Sequence, residues 1–202
     1  MSQIALPLDL RGRSDPESIV IGNANRAVYE ALMDYASWPF RTAVLTGPDR
    51  SGKSLIGKWA SGQGVTVIDD AEREDETDLF HRWNAAQESG EPLLLISNRQ
   101  PWGISLPDLR SRLGGSLQLE IGTPDDDMVA QLIEAMAAQR GLSLSEGATA
   151  YLVPRIERSF SGIERLVEVI DRLSLERKTP ATMSVWRDAL DQIQGPEQQR
   201  LL

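Results

Sequence analysis

Eight consecutive residues, Gly47, Pro48, Asp49, Arg50, Ser51, Gly52, Lys53 and Ser54, spell G-x-x-x-x-G-K-S, a spacing suited to cradling phosphates. The glycines let successive backbone N–H groups point into one concavity, and the start of a following helix adds a partial positive charge. Lys53 can reach the β and γ phosphates and Ser54 can ligate Mg²⁺. The ligand this chemistry calls for is ADP or ATP with Mg²⁺. Val65 to Asp70 (VTVIDD) reads as a buried strand ending in two acids, Asp69 directed at the metal and Asp70 at the attacking water. An acidic pair can also open a solvated loop, and the phosphate loop upstream favours the metal reading. Leu93 to Asn98 (LLLISN) ends in polar groups, with Asn98 where a side chain could sense the γ-phosphate; the bland alternative is a strand running into a turn. Arg110 and Arg112, in Leu106 to Leu113 (LPDLRSRL), are either solvated or placed to reach a neighbouring subunit's nucleotide.

Other chemistries lack their parts. The 202 residues contain no cysteine and a single histidine, His81, which excludes disulfides, thiolate metal sites and histidine-based triads. His81 reads as a surface helix residue. The five tryptophans, Trp38, Trp59, Trp83, Trp102 and Trp186, are scattered, as core residues are, rather than spaced as a stacking platform. The acid runs Glu72 to Asp78 and Asp125 to Asp127 read as a solvated face and a helix start. A formal net charge of -9 opposes direct binding to a phosphate backbone. No apolar run approaches the roughly 20 residues that cross a bilayer, and Met1 to Leu10 has no basic region ahead of its apolar residues, so a cytoplasmic protein is expected.

The elements that would position these residues follow from periodicity. Asn23 is placed to cap a helix with Val28, Leu32 and Tyr35 on one face, ended by Trp38 and Pro39. Thr42 to Thr46, Val65 to Ile68, Leu93 to Ile96 and Leu117 to Ile121 read as strands, with helices at Lys53 to Ala60 and Glu76 to Glu88. Short, apolar strands alternating with helices predict a parallel sheet covered on both faces. After Thr123, Pro124 and Asp125 the pattern becomes wholly helical, first to Gly141 and then in segments near 145–158, 161–177 and 182–193. The expected organisation is a polar tail over 1–18, an α/β nucleotide domain over 19–122, a helical lid over 123–195 and a C-terminal tail over 196–202.

The run S-L-P-D-L-R-S-R-L-G resembles the arginine-finger segment of the DnaA and Hda family of AAA+ proteins, where L-x-S-R-[LF] carries the finger, so the match falls on Arg112. Gln3, Ile4, Ala5, Leu6, Pro7 and Leu8 (QIALPL) are similar to the sliding-clamp-binding hexapeptide with which Hda proteins begin, and Gly22 to Arg26 (GNANR) is similar to the segment beside the adenine, which implicates Asn25. The hexapeptide also makes physical sense: a proline between Leu6 and Leu8 keeps the backbone extended and cheap to order on binding. The resemblance implies an AAA+ fold and ADP or ATP with Mg²⁺ as ligand. It implies as partners the sliding clamp (the β subunit of DNA polymerase III) and DnaA, whose bound ATP would be hydrolysed with the help of Arg112. It leaves room for a homodimer and offers no module for sequence-specific DNA reading.

Two departures from the family pattern stand out. Asp69 lies 16 residues after Lys53, room for one helix and one strand, so the sheet is expected to lack an edge strand. The stretch Ser159 to Arg165 (SFSGIER) places Ser161 or Gly162 where the family's lid arginine sits, and Arg165, a turn later, is the candidate substitute. Slow intrinsic hydrolysis is the expected consequence. An active ATPase that loads or remodels a replication protein, and a non-catalytic clamp-binding adaptor, are the alternatives at this stage.

Overall fold

The computed structural model describes residues 19–195. The clamp-like residues Gln3, Ile4, Leu6, Pro7 and Leu8 lie outside them. Among the described residues four parallel strands, β1 (Thr42–Thr46), β2 (Thr66–Ile68), β3 (Leu93–Ile96) and β4 (Leu117–Glu120), form one sheet in the order β2-β3-β1-β4. The expected parallel α/β architecture is present, and β2 lies at an edge with no further strand outside it among the described residues. No described helix is long and apolar enough to cross a membrane.

The unbroken apolar character of β1 and β3 has a direct cause, since alternate residues of a strand face opposite sides. Ala43, Leu45, Leu94 and Ile96 point to one face and pack with Val28 and Leu32 of α1 (Arg26–Met33) and Ile56 and Ala60 of α2 (Lys53–Gly62). Val44, Leu93 and Leu95 point to the other and meet Leu79 and Trp83 of α3 (Glu76–Ser89) and Leu109 and Leu113 of α4 (Pro107–Gly115). The helical region comprises α5 (Asp126–Gln139), α6 (Ala148–Leu152), α7 (Phe160–Arg177) and α8 (Met183–Gln194). Its interior, including Ile133, Ile163, Leu166 and Trp186, belongs to the same apolar cluster as the α1–α2 face of the sheet.

Three local expectations are corrected. The cap of α1 is Asn25, and Asn23 instead donates its amide to the Thr123 carbonyl (3.0 Å) and accepts from the Asp125 N–H (2.9 Å), tying the first segment to the start of α5. Tyr35 falls beyond α1 in a 3₁₀ turn, and the helix expected near 145–158 breaks into α6 and a 3₁₀ turn at Val153–Arg155, where Pro154 has no N–H to give. Leu106 to Leu113, read from sequence only as an arginine-bearing segment, is mostly helix α4. Three tryptophans, Trp38, Trp83 and Trp186, are buried as expected, with Trp59 and Trp102 half-buried, and His81 is exposed on α3.

Candidate nucleotide site and arginine segment

Strand β1 ends at Thr46 and delivers the chain into the Gly47–Ser54 loop, which turns directly into α2. Gly52 sits at φ 84°, the left-handed region, where a Cβ would add strain at the very point at which N–H groups converge on the helix start. Lys53 is 4% exposed and donates through Nζ to the carbonyls of Gly47 (2.9 Å) and Pro48 (2.8 Å). Burial pushes its ammonium below the usual lysine range, opposed by the nearby charges of Asp49, Asp69, Glu72 and Asp70. Ser51 Oγ is buried without a hydrogen-bond partner among the described residues, an orphaned donor inside a loop of converging N–H groups, and an anionic oxygen suits it.

The loop opens on a cleft of about 760 Å³ between the sheet domain and the helical region. Asp49, Arg50, Ser51, Gly52, Lys53 and Ser54 line its floor; Ile19, Val20, Met128, Leu132 and Phe160 supply apolar walls. Asn25 also lines it, with its amide already committed: Oδ1 accepts from Gly22 N–H and Nδ2 donates to the Val20 carbonyl, both at 2.9 Å. Its side chain therefore shapes the apolar wall by folding 20–25 into a fixed turn.

The acids gather on one flank. Asp69 is exposed at the end of β2 and Asp70 follows in left-handed geometry at φ 51°. Asn98, on the loop after β3 and lining the cleft, donates through Nδ2 to Asp70 Oδ1 (2.5 Å) and through its N–H to Glu72 (3.2 Å), while Arg73 pairs with Asp70 at 3.5 Å. The fold thus brings together the P-loop, Asp69, Asp70 and Asn98. No group of three or more His, Cys, Asp or Glu among the described residues could hold a metal ion by itself, so a cation here would rest on Ser54, Asp69 and ligand oxygens.

Arg165 is exposed on α7 and does not line the cleft. Arg140, near the end of α5, does line it, and is held by Glu168 (3.1 Å) and the Met136 carbonyl (3.4 Å). Glu164, one turn beyond Phe160 on α7, reaches the floor instead and pairs with Arg50 Nε at 3.2 Å. Arg50 holds φ 63°, a left-handed conformation that costs a side-chain-bearing residue roughly 1–3 kcal/mol. Arg73, Arg140 and Glu164 were missed by sequence reasoning; the four-residue spacing of Phe160 and Glu164 was the one available signal for a shared helix face.

Arg112 lies half-buried on α4, outside the cleft, its guanidinium carbon 4.7 Å from the Phe80 ring centroid and 4.4 Å from that of Trp83. Its helix is aimed by α3: the Glu76 carboxylate accepts the N–H groups of Ser105 (2.8 Å) and Leu106 (2.5 Å) at the start of α4. Arg110 is folded back, donating to the Ile104 carbonyl. The far end of α4 is near Phe40, since a Cβ on Gly115 would stand 3.1 Å from that ring. Phe40 precedes β1 whereas the P-loop follows it, so α4 descends to the end of the sheet opposite its own phosphate loop.

Residues 125–190 match the Hda lid domain. An uncharacterized protein of Haemophilus influenzae is 28% identical over 169 residues, covering 80% of this chain and 67% of its own. Domain III of the Thermotoga maritima replication initiation protein DnaA superposes with a TM-score of 0.75 at 16% identity, over 90% of this chain and 97% of that one. AMPPCP-bound DnaA from Aquifex aeolicus gives 0.62 at 20% identity, over 84% and 69%. The helical region is thus similar to the Hda lid domain over residues 125–190, and the chain as a whole shares the fold of DnaA domain III.

Proposed function

We propose that this protein is a negative regulator of replication initiation that binds the DNA-loaded sliding clamp through Gln3 to Leu8 and presents Arg112 to ATP held by DnaA. The observation that carries the reading is the position of Arg112. Each β residue advances the chain by about 3.3 Å, so the five residues of β1 separate the P-loop end of the sheet from the Phe40 end by roughly 16 Å. An arginine low on α4 serves a nucleotide on another protein, where it would stabilise the charge developing on the transferred phosphoryl group. Phe80 and Trp83 hold the half-buried guanidinium in a fixed place over their rings, the geometry in which a cation and an aromatic face attract.

The chain's own cleft takes ADP or ATP. Lys53 and the loop N–H groups hold the phosphates, Ser51 Oγ finds its missing acceptor there, and Ser54 with Asp69 supports Mg²⁺. Asp70 is engaged by both Asn98 and Arg73, which supports slow intrinsic turnover and a structural role for the bound nucleotide. The site of action is the cytoplasm, with the clamp and DnaA as partners, and a homodimer is compatible with a face built around Arg112. Paired variants test the assignment. Leu6→Ala with Leu8→Ala is expected to lose clamp binding and stimulation of DnaA together, and Arg112→Ala to lose stimulation alone. Loss of clamp binding in Arg112→Ala to the same degree as in the tail variant overturns the division of labour.

A further inference from the structure

We propose that Glu164 sets the nucleotide affinity of the cleft by competing with phosphate for the Arg50 guanidinium, so that the lid is bolted to the P-loop until a phosphate takes Arg50. The inference rests on the reading that the cleft binds nucleotide, and adds a residue and a coupling to it.

Arg50 holds the fourth position of the G-x-x-x-x-G-K-S loop in left-handed backbone, at φ 63°. A turn bond from the Ser51 N–H to the Pro48 carbonyl (3.3 Å) spans that residue, and the Arg50 side chain reaches across to Glu164 of α7 in an ion pair. The two ends are unequal. The Arg50 side chain is 67% exposed and free to turn toward a ligand, whereas Glu164 is 12% exposed and depends on cationic company. Both residues line the cleft, one from the phosphate loop and one from α7. The pair therefore joins the two walls that a nucleotide must enter between.

A phosphate group offers a guanidinium more charge and a better bidentate match than one carboxylate oxygen does. Once phosphate occupies the loop, Arg50 has a stronger partner on its own side of the cleft, and the lid loses a tie to the floor. Nucleotide occupancy is converted in this way into lid angle by an arginine of the loop and an acid of the lid.

The chain has no cysteine, so one label can be placed on each side of the cleft through Glu88→Cys on α3 and Leu175→Cys on α7. Label-to-label distance distributions are measured without and with ADP, and ADP affinity is measured by calorimetry on the unlabelled full chain. Glu164→Gln is expected to tighten ADP by roughly two- to five-fold, the range an ion pair with an exposed partner represents. It is also expected to broaden the distribution seen without ADP. The gain is expected to vanish in an Arg50→Gly background, because the released cation is what produces it. An equal gain in that background assigns the effect to general repulsion by Glu164 and overturns the competition, as does an unchanged affinity. A chain that binds no ADP in any form overturns the nucleotide reading and the competition with it; ADP binding indifferent to Glu164→Gln overturns the competition alone.

Discussion

Lys53 carries its charge into a place where burial opposes it, and both its ligand chemistry and its stability effect follow. Because its folded-state pKa is lowered from 10.5, the unfolded chain binds more protons between the folded value and 10.5, and stability rises with pH across that window. Below the folded pKa the cost of the buried ammonium is present in full. In Lys53→Met that dependence is absent, so denaturant titrations near neutrality and near pH 10.5 are expected to show the stability difference shifting in favour of the parent as pH rises. The same variant is expected to weaken ADP binding roughly 10- to 100-fold, the loss of a charge-assisted contact. The P-loop was legible in the sequence because its glycines, lysine and serine are contiguous. Arg50–Glu164 was not, because its partners are 114 positions apart and only the folded lid brings them together.

Helix α3 is the element that organises the arginine face. Its cap, Asp75, accepts from the N–H groups of Thr77 (2.8 Å) and Asp78 (3.2 Å), and these bonds hold its carboxyl below the ordinary value. A depressed carboxylate stabilises the fold above its unfolded pKa and ceases to do so as pH falls through the folded one. Asp75→Ala is therefore expected to lower stability at neutral pH, with the gap to the parent narrowing as pH falls below 3.8. Glu76, next in the chain, caps α4 from 29 and 30 residues away; Glu76→Ala leaves those N–H groups without their acceptor and is expected to cost about 1–3 kcal/mol in denaturation, with weaker stimulation of DnaA. Helix α4 does carry start signals of its own, Pro107 and Asp108 in its first turn, but only Leu109 and Leu113 mark its buried face, too few to show helical spacing, and its Glu76 cap comes from another element. Glu72 and Glu76, expected on a solvated face, hold backbone N–H groups instead. Strands β1 and β3 were readable to the residue, since burial on both faces leaves an uninterrupted apolar run.

At the scale of the whole molecule, the sheet and the helical region share more than a linker. One apolar cluster runs from Ala43 and Leu45 through Ile121, Met128 and Ile133 to Ile163 and Trp186. Thermal unfolding of the described region is expected to be a single transition whose fluorescence and circular dichroism midpoints coincide. Ile133→Ala, at a fully buried position in that cluster, is expected to destabilise by about 2–5 kcal/mol and to lower both midpoints together. Two separated transitions would mean that the cluster does not couple the halves. The sequence pattern marked where helices replace strands, near residue 122, but periodicity describes one element at a time and is silent on which faces finally meet. The measurement closest to the central claim is single-turnover hydrolysis of DnaA-bound ATP on DNA-loaded clamp, with the intact protein, Arg112→Ala and Arg112→Lys. Stimulation by the intact protein that is absent in Arg112→Ala and largely absent in Arg112→Lys is the result predicted for a guanidinium supplied in trans; equal stimulation by all three would contradict it.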